Sequence, residues 1–223
     1  PFSPEYVNNY EIGFRGVSNR GMLSLLAFYT QRMDQQVSLS SQQDPMDPNS
    51  FTYYIGNASE GYVYGIELEF RRDIFSRLHL SGTLGLLESK TQEYSFEVAP
   101  DQFVTLGDRA FAHAPRYSFR IGIDYNITPH VSLRSSIAGK DKFYFSESHD
   151  QVSEPYNLVN SGITYAFSIS IEVSFWVDNL LDTQHAVRGF YFGLEPPNYS
   201  EKLYMSYGDP RHFGLTLKYK FGL

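Results

Sequence analysis

The sequence contains no cysteine, which excludes disulfides and thiolate-bound metals. No run approaches the ~20 consecutive apolar residues that a membrane-crossing helix needs, so a helical membrane protein is excluded. A β-barrel survives that count, because its strands are apolar on one face only and average out to ordinary hydropathy. The mean hydropathy of -0.34 is therefore neutral. Positive charge is scarce: 18 Lys and Arg stand against 25 Asp and Glu, a net charge of -7. A nucleic-acid partner, which demands a basic surface, is not expected. Enzyme signatures are missing too, with no Gly-x-Ser-x-Gly, no His-Glu-x-x-His and no Gly-rich phosphate loop. No catalytic residue, metal or cofactor is expected. Of the six His, only His149 adjoins a carboxylate, Asp150, and two side chains in an acidic, solvated loop make a weak cation site. No secretory leader is visible, since the chain opens Pro1-Phe2-Ser3-Pro4-Glu5 and runs straight into patterned sequence.

What the sequence has instead is aromatics, 18 Tyr and 18 Phe against a single Trp. That excess favours strands, where aromatic side chains pack well on a pleated surface. Period-two alternation is the dominant pattern. It is clearest in Tyr10–Arg15, Tyr62–Arg71, Phe119–Tyr125, Ile169–Phe175 and Phe213–Phe221, with weaker runs at about 21–39, 76–92, 129–146 and 155–166, nine strands in all. In the clear strands Glu11, Arg15, Glu67, Glu69, Arg71, Arg120, Asp124, Glu172, Lys218 and Lys220 all share the face opposite the apolar residues. One stretch resists this: Leu23–Tyr29 is apolar on both faces, so Leu26 or Phe28 must join the charged face or sit at a bulge.

A soluble β-sandwich also alternates, so the connections decide. Short turns at Ser18–Gly21, Asp73–Ser76, Asn126–Pro129 and Phe167–Ser168 alternate with long polar loops at about 40–60, 93–114, 147–154 and 189–210. Every long loop then emerges at one end of an up-and-down meander, as in outer-membrane barrels with short periplasmic turns and long extracellular loops. Aromatics gather near the strand ends, with Phe14, Tyr125, Phe167 and Phe221 towards the short turns and Tyr29, Tyr117 and Tyr156 towards the loops, as interfacial girdles require. The expected fold is all-β, an antiparallel transmembrane barrel wall whose outward residues are Tyr64, Ile66, Leu68, Ile121, Ile123, Ile171, Val173, Leu215 and Leu217.

With the strands placed, several segments resemble the end of a TonB-dependent outer-membrane receptor. Pro4-Glu5 followed by Glu11-Ile12-Gly13 resembles a strand opening of that family. Ala27-Phe28-Tyr29, Asn57-Ala58, Gly65–Glu69, Ala114–Tyr117, Tyr156–Asn160 and Trp176–Asp182 follow in the family's order, and Pro210-Arg211 leads into a last strand ending on Phe221. Gly222 and Leu223 depart from the pattern by following the aromatic that would close the chain. The resemblance implies that residues 1–223 are the C-terminal nine strands of a 22-stranded barrel, with the plug domain and earlier strands outside this sequence. It further implies an outer-membrane receptor that imports a scarce nutrient at the expense of TonB, with a siderophore-like ligand. The implied partners are outer-membrane lipid and lipopolysaccharide, its own plug and upstream strands, and TonB through the missing N-terminal part.

Two other functions stay open at this point: a passive porin-like barrel or barrel enzyme, and a soluble β-rich binding module. An odd number of strands tells against the former, and an unbroken apolar face against the latter. Lumen charges, Arg120, Arg134, Lys140, Lys218 and Lys220 against Glu67, Glu69, Asp124 and Glu172, are expected to pair with one another or with the plug. The candidate ligand contacts are loop aromatics, Tyr144, Phe145, Phe190, Tyr191, Phe192, Tyr199, Tyr204 and Tyr207, since exposed rings are costly unless they stack on something.

Overall fold

A computed structural model describes residues 2–44, 46–47, 49–57, 60–147, 150–192, 196–197 and 202–221. The chain runs β1 (Tyr6–Ser18), β2 (Gly21–Met33), β3 (Gln36–Gln42), β4 (Phe51–Asn57), β5 (Gly61–Phe75), β6 (Leu78–Thr91), β7 (Tyr94–Ala99), β8 (Gln102–Leu106), β9 (Tyr117–Asn126) and β10 (Val131–Lys140). It continues through β11 (Tyr156–Ala166), β12 (Ile171–Asp178), β13 (Ala186–Phe192), β14 (Lys202–Tyr207) and β15 (His212–Tyr219). Nine of these form one sheet in the order β1-β2-β5-β6-β9-β10-β11-β12-β15, each paired antiparallel with the next in that order. This is the expected meander, and no helix occurs among the described residues. The sheet is open: β1 and β15 are its two edges and do not pair with each other.

Three long loops are more ordered than their polarity suggests, because β3 with β4, β7 with β8, and β13 with β14 close into separate hairpins. The expected strand at 21–39 is accordingly two strands, broken at Asp34, which takes a left-handed φ of 53°. The expected strand at 129–146 stops at Lys140, and the aromatics beyond it fold into the loop.

Register decides the faces, since directly opposed residues of neighbouring strands share one. An apolar row runs Phe14, Leu25, Leu68, Leu84, Phe119 across five strands. One residue along, the row Arg15, Ser24, Glu69, Thr83, Arg120 is polar. All nine residues expected to point away from the charged face do so. Leu26 and Phe28 both lie on the charged face, opposite Glu67 and Gly65, with no bulge in the β2–β5 register. Gly65 makes this possible: a Cβ there would stand 2.9 Å from the Phe28 ring and collide with the Leu86 carbonyl. The sole Trp, Trp176, lies on the same face across Gly214, where a Cβ would collide with its indole ring. It donates to Thr216 Oγ1 at 3.2 Å.

A single sheet has no second layer to bury its apolar face against. Ile12 is therefore 77% exposed and Leu215 71%. Among the described residues the buried apolar side chains are Ala99, Phe111, Phe143 and Phe145, all at the long-loop end. Aromatics bound the apolar face at both ends. Tyr10, Tyr29 and Tyr64 form one row towards the long loops, with Tyr10 and Tyr29 6.5 Å apart. Towards the short turns Phe75 meets Tyr125 at 6.3 Å, Tyr165 meets Phe167 at 4.7 Å and Tyr219 meets Phe221 at 4.4 Å. Tyr156 is not in these belts; its register opposite Lys140 puts it on the charged face.

Candidate functional site at the long-loop end

Charged pairs line the polar face where the register opposes them. Arg134 bonds Asp124 across β9 and β10, and Glu172 takes Lys218 at 3.3 Å and Lys220 at 3.8 Å. Such exposed pairs contribute little individually. Their effect is to keep this face polar while setting opposite charges against each other across strands. Arg120 donates to Ser136 instead, at 3.2 Å, and Arg71 rather than Arg120 takes Glu69, at 3.3 Å.

Above these pairs the loops interlock. The segment after Lys140 doubles back, with Phe143 and Ser153 exchanging bonds at 3.1 and 2.8 Å. His113 donates its amide to the Tyr144 carbonyl at 2.9 Å. Alternation along 143–145 sends Phe143 and Phe145 to one side and Tyr144 to the other. Phe145 is 4% exposed, its ring laid on Gly189 of β13 and edge-on to Phe143 at 5.6 Å. Phe111 lies over Gly61 in the same manner and donates its amide to Ser89 Oγ at 3.2 Å. Both glycines serve as flat seats for a ring.

Cations sit over this aromatic cluster. Lys140 Nζ is 4.4 Å from the Phe143 centroid and 5.2 Å from that of Tyr156, which in turn meets His185 at 4.5 Å. Arg109 lies 4.7 Å over Tyr144 and ties the loop down through Asp150 at 2.8 Å and the Ser146 carbonyl at 2.9 Å. Burial pushes the nearby Tyr94 hydroxyl up, reinforced by the Glu147 carboxylate. On the other flank Glu5 accepts the Gln36 amide at 2.9 Å and two bonds from Arg32. The Gln36 amide first, and Arg32 second, hold its carboxyl below the usual range.

The candidate aromatics divide on this scaffold. Phe145 is not exposed as expected; it is the buried pin between two loops. Tyr144 is half-buried under Arg109. On the β13–β14 hairpin, Tyr191 bonds Gln151 and faces the loop. Phe190 stacks on Tyr204 at 5.5 Å on the opposite side, with Phe192 beside them. Tyr207 opposes Ala186 at the hairpin's base and is exposed. Tyr199 and His149 lie outside the described residues, and Asp150 is held by Arg109. Among the described residues no group of three or more metal-ligating side chains converges.

The sequence carries no signal for Phe111, Phe143 or His185, and Lys140, expected as a lumen charge that pairs with a carboxylate or the plug, lies over the Phe143 and Tyr156 rings. Asn179-Leu180-Leu181-Asp182, the end of the Trp176–Asp182 segment, has a structural explanation. Asn179 and Asp182 both take left-handed φ values, 49° and 56°, which their short polar side chains tolerate. Asn179 bonds the backbone of Thr183 and Asp209, and Asp182 accepts the Arg211 amide at 2.9 Å, so the turn clasps the entry to β15.

Residues 1–180 match the family model described as TonB dependent receptor-like, beta-barrel. No curated protein matches the sequence. Among solved structures, the ferric yersiniabactin uptake receptor FyuA from Yersinia pestis is similar at a TM-score of 0.77 and 20% identity, over 100% of this chain and 31% of that one. The siderophore receptor PiuA from Acinetobacter baumannii is similar at 0.73 and 17%, over 98% and 29%. The copper transporter OprC is similar at 0.70 and 14%, over 99% and 33%. At these identities the likeness is one of fold, and the chain spans about a third of each structure.

Proposed function

The chain belongs to the TonB-dependent receptor-like β-barrel family, a family of transport receptors of the Gram-negative outer membrane rather than of enzymes, and from that we propose that it forms the C-terminal wall of a receptor for TonB-energised uptake of a ferric siderophore. The observation that carries the reading is the two-faced meander. Its apolar face is bounded by aromatic belts eight residues apart, from Tyr117 to Tyr125 on β9. At ~3.3 Å per residue and a tilt of ~40°, that spacing is roughly 20 Å of height, close to the ~25 Å apolar band of such barrels. In this reading the apolar face meets lipid, the charged face lines the lumen, and the long loops are extracellular.

The lumen side supports a plugged receptor over an open pore. Leu26, Phe28 and Trp176 stand on it, and an aqueous channel gains nothing from such groups. The two free edges, β1 and β15, call for strands from outside residues 1–223 to complete the wall, because lipid offers no hydrogen-bonding partner. Iron chelates are favoured as ligand by the siderophore receptors among the similar structures. Phe190, Phe192, Tyr204 and Tyr207, presented on the extracellular hairpin, are the proposed contacts, with Tyr144 and Tyr191 around them and Phe145 supporting from beneath.

Expression of the complete receptor in a Gram-negative host stripped of its own siderophore receptors tests the proposal. Growth on a ferric siderophore as sole iron source is expected, and is expected to vanish when TonB is deleted. Uptake that persists without TonB overturns it.

A further inference from the structure

The hairpin of β3 and β4 is apolar on both faces, and one of the two is left uncovered. Pairing of Val37 with Gly56 and of Leu39 with Tyr54 puts Val37, Leu39 and Tyr54 on one face. That face is covered: the Leu39 side chain lies over Gly56, Ser41 beside it is 5% exposed, and the Tyr54 hydroxyl donates to the Glu97 carbonyl of β7 at 3.1 Å. The opposite face carries Phe51, Tyr53 and Ile55, each two residues from the next along β4. They are 37%, 79% and 45% exposed. A hairpin that only joins β2 to β5 gains nothing from a second apolar face. A contiguous row of exposed apolar side chains marks a surface that meets another molecule.

Charge sets the chemistry of that molecule. No Lys, Arg or His occurs from Met33 to Phe70. Asp44 and Asp47 stand at the tip of the hairpin and Asp34 and Glu60 at its base, all four exposed and none in an ion pair among the described residues. Asp44 and Asp47 accept the amides of Met46 and Asn49, each at 2.9 Å, which fixes the two carboxylates at the tip without neutralising them. We propose that this face docks a basic, extended segment of another protein outside the cell, its apolar side chains against Phe51, Tyr53 and Ile55 and its cations at the tip and base of the hairpin. The proposal rests on the barrel-wall reading, which places the long loops outside. It is separate from the cargo contacts, which lie on the β13–β14 hairpin. An extended segment matches the row because its own side chains repeat every second residue on one face, at the spacing of β4. Four uncompensated carboxylates favour a basic partner and repel an acidic one.

The test uses the complete receptor in phosphatidylcholine nanodiscs and, as probe, a short peptide alternating Lys with Val. Peptides alternating Glu with Val and Lys with Ser are the controls, and binding is read by surface plasmon resonance against empty nanodiscs. The Lys–Val peptide should bind roughly tenfold more tightly than either control. Tyr53→Ser should remove the margin over the Lys–Ser peptide. Asp44→Asn with Asp47→Asn, which keeps the side-chain oxygens that cap the tip, should remove the margin over the Glu–Val peptide. Equal binding of the three peptides by the wild type, or margins unchanged in the variants, overturns the proposal. Residues 1–223 hold no cysteine, so Tyr53→Cys, and Phe103→Cys on exposed β8, can be labelled on intact cells with a membrane-impermeant maleimide, the unsubstituted receptor serving as blank. Labelling at both positions is expected. Labelling at 103 alone means that the rest of the receptor covers the face and overturns the docking; labelling at neither overturns the outward placing of the loops, and the docking with it.

Discussion

Placing an arginine at Ile121 should be among the most damaging surface substitutions on this chain. Ile121 lies four residues from Tyr117 and four from Tyr125, midway between the belts on β9. It points to the apolar face with Gly82 and Ile137 as its neighbours in the row. An Arg at mid-depth on the lipid face costs about 2–4 kcal/mol, falling to ~0–1 near the interfaces. That corresponds to roughly a 30- to 900-fold loss in the folding equilibrium. Ile123→Arg, two residues nearer Tyr125, should cost less. Gly122→Arg faces the lumen, where its Cβ would press only on the Ser81 hydroxyl at 3.0 Å and its charge would lie on the Asp124 face, so it should cost least. The assay is reversible folding of the complete barrel into phospholipid vesicles, followed by tryptophan emission against urea. Equal costs at 121 and 122, or a cost that rises from 121 to 123, would refute the face assignment and the depth scale built on it.

Gly65→Val should cost about 1–3 kcal/mol and should not be rescued by Phe28→Ala, because the Leu86 carbonyl still blocks the new side chain. Gly214→Val, obstructed by the Trp176 ring alone among its nearest atoms, should be rescued by Trp176→Ala; urea midpoints of both double variants distinguish the cases. Phe145→Ala should remove about 3 kcal/mol from the local opening free energy of the loop, read as faster exchange of the His113 amide that bonds Tyr144. Unchanged exchange there would mean that the ring does not pin the loops. Glu5 has a depressed carboxyl, so its tie to Gln36 and Arg32 is fully present above the ordinary carboxylate range and is lost as pH falls through its own lowered value. Exchange of the Gln36 amide should therefore accelerate on acidification in the wild type and be pH-flat in Glu5→Gln, after correction for intrinsic exchange.

Strand identity, face and order were legible in the residues because each is a local property. Period two is imposed by the backbone, so Glu67, Glu69 and Arg71 declare their shared face without reference to any neighbour. The alternation of short turns with long loops likewise orders the meander before any pairing is known. Leu26 and Phe28 could not be placed that way. Their face follows from the register with β5, and the room for Phe28 comes from Gly65, nearly forty residues distant in the chain. The loops were least legible. Polarity made them look like solvated connections, yet three of them close into hairpins and one buries Phe143 and Phe145. What buries Phe145 is Gly189, a residue whose proximity depends on two loops meeting above the same rim. Alternation along one strand carries no information about such a meeting, which only the assembled sheet, by bringing the ends of β10 and β12 to one level, decides.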